Sequence, residues 1–432
     1  MNNMRIIKLI CITLLMPYLG ISQLIEKVVT KAETERIERV LASDAMEGRR
    51  TFSPGIDKAA AFIAKEFESA GLKSMKADNN YLQSFSIIRP KFISLNASLN
   101  GAAIDNKQVI VVTVEPELSM NETTGYHVFK ISATDNLSQA AGKVMSSNQK
   151  TIVFVDEAHT QNFNRLMRLK NNLSSTQNTV VFILTNTNPS NYTVNASHQI
   201  EKMPLANVVA MIPGKTLPNE YVIFSGHYDH LGINTRNMVN GDSIYNGAND
   251  DAAGTTAMIM LSKYYKALNN NARTILFAAF TAEEVGGYGA QYFSKQLDPA
   301  KVVAMFNIEM IGTESKWGKN SAYITGFDKT NMGAILQKNL EGSSFKFYPD
   351  PYTEQNLFYR SDNATLARLG VAAHTISTSK MDSEPNYHKA SDQIETLDLD
   401  NMNEIIKAIA LSAQSIIAGK DTPTRVDTTQ LK

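Results

Sequence analysis

Cysteine is all but absent: the 432-residue chain has one, Cys11. A lone cysteine closes no disulfide within the chain, so stability must come from the core. Any metal must then be held by histidine, aspartate and glutamate. An excess of charge of either sign is also missing, with 42 Lys and Arg against 42 Asp and Glu. There is no basic run, and nothing in the charge pattern offers a nucleic acid a footprint. A long apolar run is lacking as well: Leu9 to Leu19 is too short to cross a bilayer comfortably.

What the N-terminus does have is Arg5 and Lys8 without an acid, then that apolar run, then Gly20-Ile21-Ser22. This is the pattern of a signal peptide over residues 1–22, with cleavage before Gln23. It implies an exported chain, periplasmic or secreted, with no stable membrane span afterwards. Cys11 lies inside this segment, too early for a lipid-attachment site. Hydrophobic content of 43% and charged content of 19% suit a globular protein. The length calls for one large domain or two moderate ones.

Residues 23–80 read as helical. Lys27 to Leu41 places Val28, Val29, Ile37 and Val40 among interleaved charges, and a second helix entered at Pro54 covers Ala59 to Ala70, stopped by Gly71. Residues 81–205 change character, with short apolar or alternating runs at 92–99, 109–114, 128–131, 151–155 and 180–184 and a few helices such as 161–170. This stretch reads as a strand-rich inserted module, structural or substrate-gating, without a cluster of histidines and acids. From 206 to 420 strands alternate with helices: strands at 221–225, 274–280, 302–308, 322–325 and 371–376, helices at 252–268, 289–297, 331–340, 363–369 and 401–418. Residues 421–432 form a tail. The expected class is α/β, a mixed, mostly parallel sheet with helices on both faces.

In such a sheet ligands bind beyond the carboxyl ends of the strands. The acids and histidines gather there. His227 and Asp229 follow one strand, Glu283 and Glu284 the next, and Glu309 ends a third. Asp250 and Asp251 precede a helix, and His388 lies in the loop after the strand ending near Ile376. Singly, each has an ordinary explanation: a hydrogen-bonded histidine, a solvated acidic pair, a helix cap. Together on one sheet edge they point to chemistry. Zinc takes imidazole nitrogen and carboxylate oxygen. Two histidines and three carboxylates suffice for two ions if one carboxylate bridges, and two ions about 3.5–4 Å apart can activate a water and polarise a carbonyl. A further carboxylate must carry the proton. The Glu283-Glu284 pair can supply both a ligand and that carrier.

Five stretches also carry a resemblance: Gly226-His227-Tyr228-Asp229-His230-Leu231-Gly232, Asn246 to Gly254, Thr281-Ala282-Glu283-Glu284, Asn307 to Gly312, and Tyr387-His388-Lys389-Ala390-Ser391-Asp392. In order and wording they resemble the two-zinc aminopeptidase family, the bacterial leucyl aminopeptidase-like zinc exopeptidases, which also holds glutamate carboxypeptidase and glutaminyl cyclase. Met46-Glu47-Gly48-Arg49 with Pro54-Gly55 is similar to the family's N-terminal signature. The likeness covers about Leu41 to Leu72 and Ala206 to Ala418.

The resemblance implies the zinc exopeptidase fold, two zinc ions and a peptide substrate cut at its N-terminal bond. It implies His227 and Glu309 on one ion, Glu284 and His388 on the other, and Asp250 bridging, with a cis peptide after it. Glu283 would be general base and acid, and Tyr387 a donor to the oxyanion. Asp229 would orient His227, Asp251 would stand behind the ligands, and Arg360 would touch substrate. Glu309 departs from the family's usual aspartate by one methylene, and Asn363 stands where many members have histidine. Glutaminyl cyclase chemistry, a carboxypeptidase or dipeptidase of the same fold, and a non-catalytic binding module remain the competing functions.

Overall fold

The computed structural model describes residues 23–75, 80–238 and 240–431. The expected signal peptide, Cys11 with it, lies outside them. The chain forms two compact units. One draws on the chain up to Ser84 and from Leu205 onward; the other is Phe85–Pro204.

In the larger unit the sheet order is Lys346–Pro349, Ser321–Ile324, Ala372–Ser377, Val302–Ile308, Leu217–His227, Arg273–Phe280, and then the last residues of Tyr192–Ile212. The four central strands run parallel. Antiparallel pairing enters where Ser321–Ile324 meets Ala372–Ser377 and where Val208–Ile212 meets Arg273–Phe280. The sheet is therefore mixed and mostly parallel. Arg273–Phe280 is buried at every position, as a strand covered on both faces must be.

Alternation along the strands separates the two faces. Val222, Phe224, Ile275, Phe277 and Phe306 join one core with residues of Lys31–Leu41, Pro54–Ser69, Ala253–Leu268 and Leu399–Ser412. Ile223, Leu276, Phe280 and Met305 join the other with Ala290, Phe293 and Leu366, from Tyr288–Ser294 and Asn363–Ala367. Phe224 stacks on Phe306, Tyr265 and Phe277 at 4.8, 5.4 and 5.9 Å between ring centroids. Ala253–Leu268 is apolar nearly all round because it is buried nearly all round.

Of the two helices expected here the first is split: residues 23–28 are helical, the chain breaks at Val29 and Thr30, and the helix resumes over Lys31–Leu41. Thr30 is extended and its hydroxyl accepts from the Glu33 N–H at 3.3 Å, a cap that divides the run. The second begins at Pro54, with proline in the first turn.

Phe85–Pro204 has its own sheet, ordered Val109–Val112, Val180–Leu184, Thr151–Val155, His127–Ile131. Its last two strands are parallel, joined through the helix Leu137–Ser147, whose Leu137, Ala141 and Val144 face Val153, Val155 and Phe182. That helix has too few apolar residues to be read from periodicity. The helix expected at 161–170 is one turn, Thr160–Phe163, followed by a tighter 3-10 stretch, Asn164–Lys170. Among the described residues no helix is long and apolar enough to cross a membrane.

Candidate metal centre

Three neighbouring parallel strands end at one edge, and each delivers acids or a histidine there. His227 closes Leu217–His227, Glu283 and Glu284 follow Arg273–Phe280, and Glu309 follows Val302–Ile308. Asp250 and Asp251 sit where the chain turns into Ala253–Leu268, and the peptide between them is cis. The close approach needs glycine: a Cβ at Gly254 would run into the Ile308 carbonyl and the Asp251 carboxylate.

The side chains meet around Asp250. His227 Nε2 stands 3.2 Å from Asp250 Oδ1, and His388 Nε2 stands 3.2 Å from Asp250 Oδ2. His388 Nε2 is also 3.2 Å from Glu284 Oε2. Two ligands on a tetrahedral zinc with bonds of ~2.0 Å stand about 3.3 Å apart, so these spacings suit a shared ion. Two groups with metal-ligating atoms within 4.8 Å of one another result: His227, Asp250 and Glu309, and His230, Asp250 and Glu284. Asp250 belongs to both.

The donor set fits a cation on two further counts. His227 Nε2 and His230 Nε2 are buried without a hydrogen-bond partner, and buried polar atoms are seldom left so. The charges also need one. Burial alone would lower His227, yet Asp250, Asp251 and Glu283 raise it well above its ordinary value. His388 likewise reaches about 10 through Asp250 and Glu284, against its own burial. Glu284 is pushed up by burial and by Asp250, but its bonds to His230 and His388 bring it down to about 2. Glu283 has no such partner; burial, with Glu309, Asp362 and Glu284 nearby, raises it well above the carboxylate range in spite of His227.

Behind these residues a set of main-chain bonds fixes the geometry. The His227 Nδ1–H donates to the Asp229 carbonyl at 3.1 Å, and a carbonyl can only accept, so the lone pair is left on Nε2. Asp229, expected to orient His227, thus reaches it through its main chain. Its carboxylate is 3.8 Å away and instead accepts the N–H groups of Glu283 and Glu284 at 3.0 and 3.3 Å and the Thr51 hydroxyl at 3.1 Å. Asp251 accepts from the N–H groups of His227, Gly254 and Met310 at 3.0–3.1 Å. Asp392 takes those of Asn249 and Asp250 at 2.8 and 3.0 Å.

Arg49 is fully buried. Its guanidinium donates to the carbonyls of Leu41, Tyr228, Asn246 and Gly247 at 2.5–2.9 Å, which ties the N-terminal segment to two site loops.

A cavity opens beside the cluster, lined by Glu283, Glu309, Tyr323, Leu357, Arg360 and Tyr387 among others. The Tyr387 ring stacks on His388 at 3.9 Å, and Arg360 is exposed at the wall. The residues singled out in the sequence therefore come together, with Asp229 and Asp251 behind and Arg360 at the mouth. His230, Asp392 and Ser361 also belong to the site. The first two lie within the motif stretches and Ser361 stands between Arg360 and Asn363, so their neighbours are the available signal.

Comparison with known proteins bears on this region. Residues 207–413 match Peptidase family M28. A probable leucine aminopeptidase of Trichophyton verrucosum is 30% identical over 211 residues, 46% of this chain and 54% of that protein. The chain spans about half the length of the curated relatives it matches. An aminopeptidase from Aneurinibacillus sp. strain AM-1 superposes with a TM-score of 0.54 at 15% identity, covering 95% of this chain and 98% of its own. A zinc aminopeptidase from Bacillus subtilis gives 0.54 at 15%, covering 93% and 97%. At that identity the likeness is one of fold.

Proposed function

We propose that the protein is an exported metallo-aminopeptidase that holds two zinc ions and hydrolyses the N-terminal bond of peptides. The observation that carries this reading is Asp250, whose two oxygens each face a different imidazole at 3.2 Å beside an open cavity. His227 and Glu309 would hold one ion, Glu284 and His388 the other, with Asp250 between. When bound, such a pair makes water acidic and polarises a carbonyl.

The chain's own groups do the rest. Glu283 lines the cavity and, alone among the carboxylates on its strand end, has no imidazole bonded to it. It takes the proton of the attacking water and returns it to the departing amine. The Tyr387 hydroxyl donates to the oxygen on which charge develops. The substrate's ammonium group is drawn to the carboxylates of the cluster, which selects a free N-terminus.

The test is Glu283→Gln assayed on amino-acid nitroanilides, with zinc content measured on the same sample. Turnover should fall by about 10²–10⁴ while zinc stays. Near-normal turnover with zinc retained would overturn the assignment. An N-terminal glutamine peptide checks the reaction class: released glutamine supports hydrolysis, and pyroglutamate without it would make the chain a cyclase.

A further inference from the structure

Glu309 differs from Asp250 and Glu284 in being met by a side-chain hydroxyl. The Ser361 Oγ–H donates to its Oε2. The polarity of that bond is set some distance away. Asn363 Nδ2 donates to the carbonyls of Phe358 and Ala373 at 3.0 and 3.3 Å. Carbonyls only accept, so Asn363 must turn its Oδ1 toward Thr375, which donates to it at 2.9 Å. The Thr375 hydroxyl has one hydrogen and has now spent it. It therefore accepts from Asn307 Nδ2 at 3.1 Å.

That fixes the Asn307 amide. Its Oδ1 accepts from the Ser225 hydroxyl at 2.7 Å, and its Nδ2 also donates to Ser361 Oγ at 2.6 Å. Ser361, already accepting, has only its own hydrogen to give, and the Glu309 carboxylate is where it goes. Ser225, Asn307, Asn363 and Thr375 are all buried, so water does not compete for these bonds.

We propose that Ser361, at the end of this relay, is the positioning residue for Glu309. It occupies one carboxylate oxygen and would leave the other for the ion shared with His227. The inference rests on the reading of Glu309 as a ligand.

The experiment is a stepwise zinc titration of the metal-stripped chain against a chromophoric chelator, with thermal unfolding of each stripped variant as a check on folding. Ser361→Ala should weaken one of two binding steps by about 10–100-fold and leave the other unchanged. Ser361→Thr keeps the hydroxyl and should bind as the parent does. Ser361→Val, its near-isostere without the hydroxyl, should behave as the alanine variant; this pair decides the matter even if alanine disturbs folding. Glu309→Asp, shorter by ~1.5 Å, should lose the same step, and adding Ser361→Ala to it should cost nothing more. The proposal is overturned if both steps survive in Ser361→Ala, if threonine and valine bind alike, or if the losses at 309 and 361 simply add. A parent chain that takes up no zinc, or a Glu309→Gln variant with both steps intact, would instead remove the ligand reading on which the proposal stands.

Discussion

Both units contain parallel strands with polar residues at their ends, yet among the described residues only the larger unit gathers a metal-ready cluster there. In Phe85–Pro204 those polar groups satisfy one another. The Asp156 carboxylate accepts the Ala158 N–H at 2.9 Å, Asp135 accepts that of Ser132 at 2.7 Å, and Asn186 donates to Glu157 at 3.0 Å. They cap turns and are exposed. In the larger unit Asp250, Glu284, Glu309 and His227 are crowded together, two imidazole nitrogens lack partners, and the carboxylates repel. A site is thus recognised less by its place in the sheet than by polar groups that the fold brings together and leaves unsatisfied.

That contrast can be broken by mutation. Asp250→Ala should have the largest effect: the carboxylate facing both imidazoles disappears, so zinc should be lost at both positions and turnover should fall to background. Metal analysis alongside the nitroanilide assay reads this, and retention of both ions would dissolve the contrast. Arg49→Ala comes next. It strands four carbonyls that the guanidinium satisfies, at about 1–3 kcal/mol each where burial is complete. A stability loss above about 4 kcal/mol should appear in thermal or urea unfolding, with turnover falling because the site loops loosen. Asp156→Ala should do least. It removes an exposed cap worth about 1 kcal/mol and should leave zinc content and turnover as they are; an effect on either would give the smaller unit a part in the chemistry.

Much of the larger unit was legible because a doubly covered sheet writes itself as uninterrupted apolar runs. Val302–Ile308 falls where its six apolar residues place it, and the acids stand where those runs stop. The layer behind was not legible. That Asp229 uses its carbonyl on His227 and its carboxylate on the Glu283-Glu284 turn depends on backbone direction, which periodicity does not encode. Ser361 is one serine among many until the fold sets it beneath Glu309. In Phe85–Pro204 the helix Leu137–Ser147 escaped because its sequence, with Gly142 and four serines and glutamines, has a narrow apolar stripe. The break at Thr30 escaped because a single cap divides an otherwise continuous pattern.

Arg49 has a consequence for how the chain becomes active. Its bonds to Tyr228, Asn246 and Gly247 span 179, 197 and 198 residues of sequence. The loops that carry His227, Asp229 and Asp250 are therefore completed by a segment synthesised long before them, which must wait, its guanidinium still in water, until they emerge. Contacts of such separation form late, since loop closure must precede them. The walls of the candidate metal centre are thus among the later parts of the larger unit to settle, in the company of the still more distant pairing of Thr34 with Asn403.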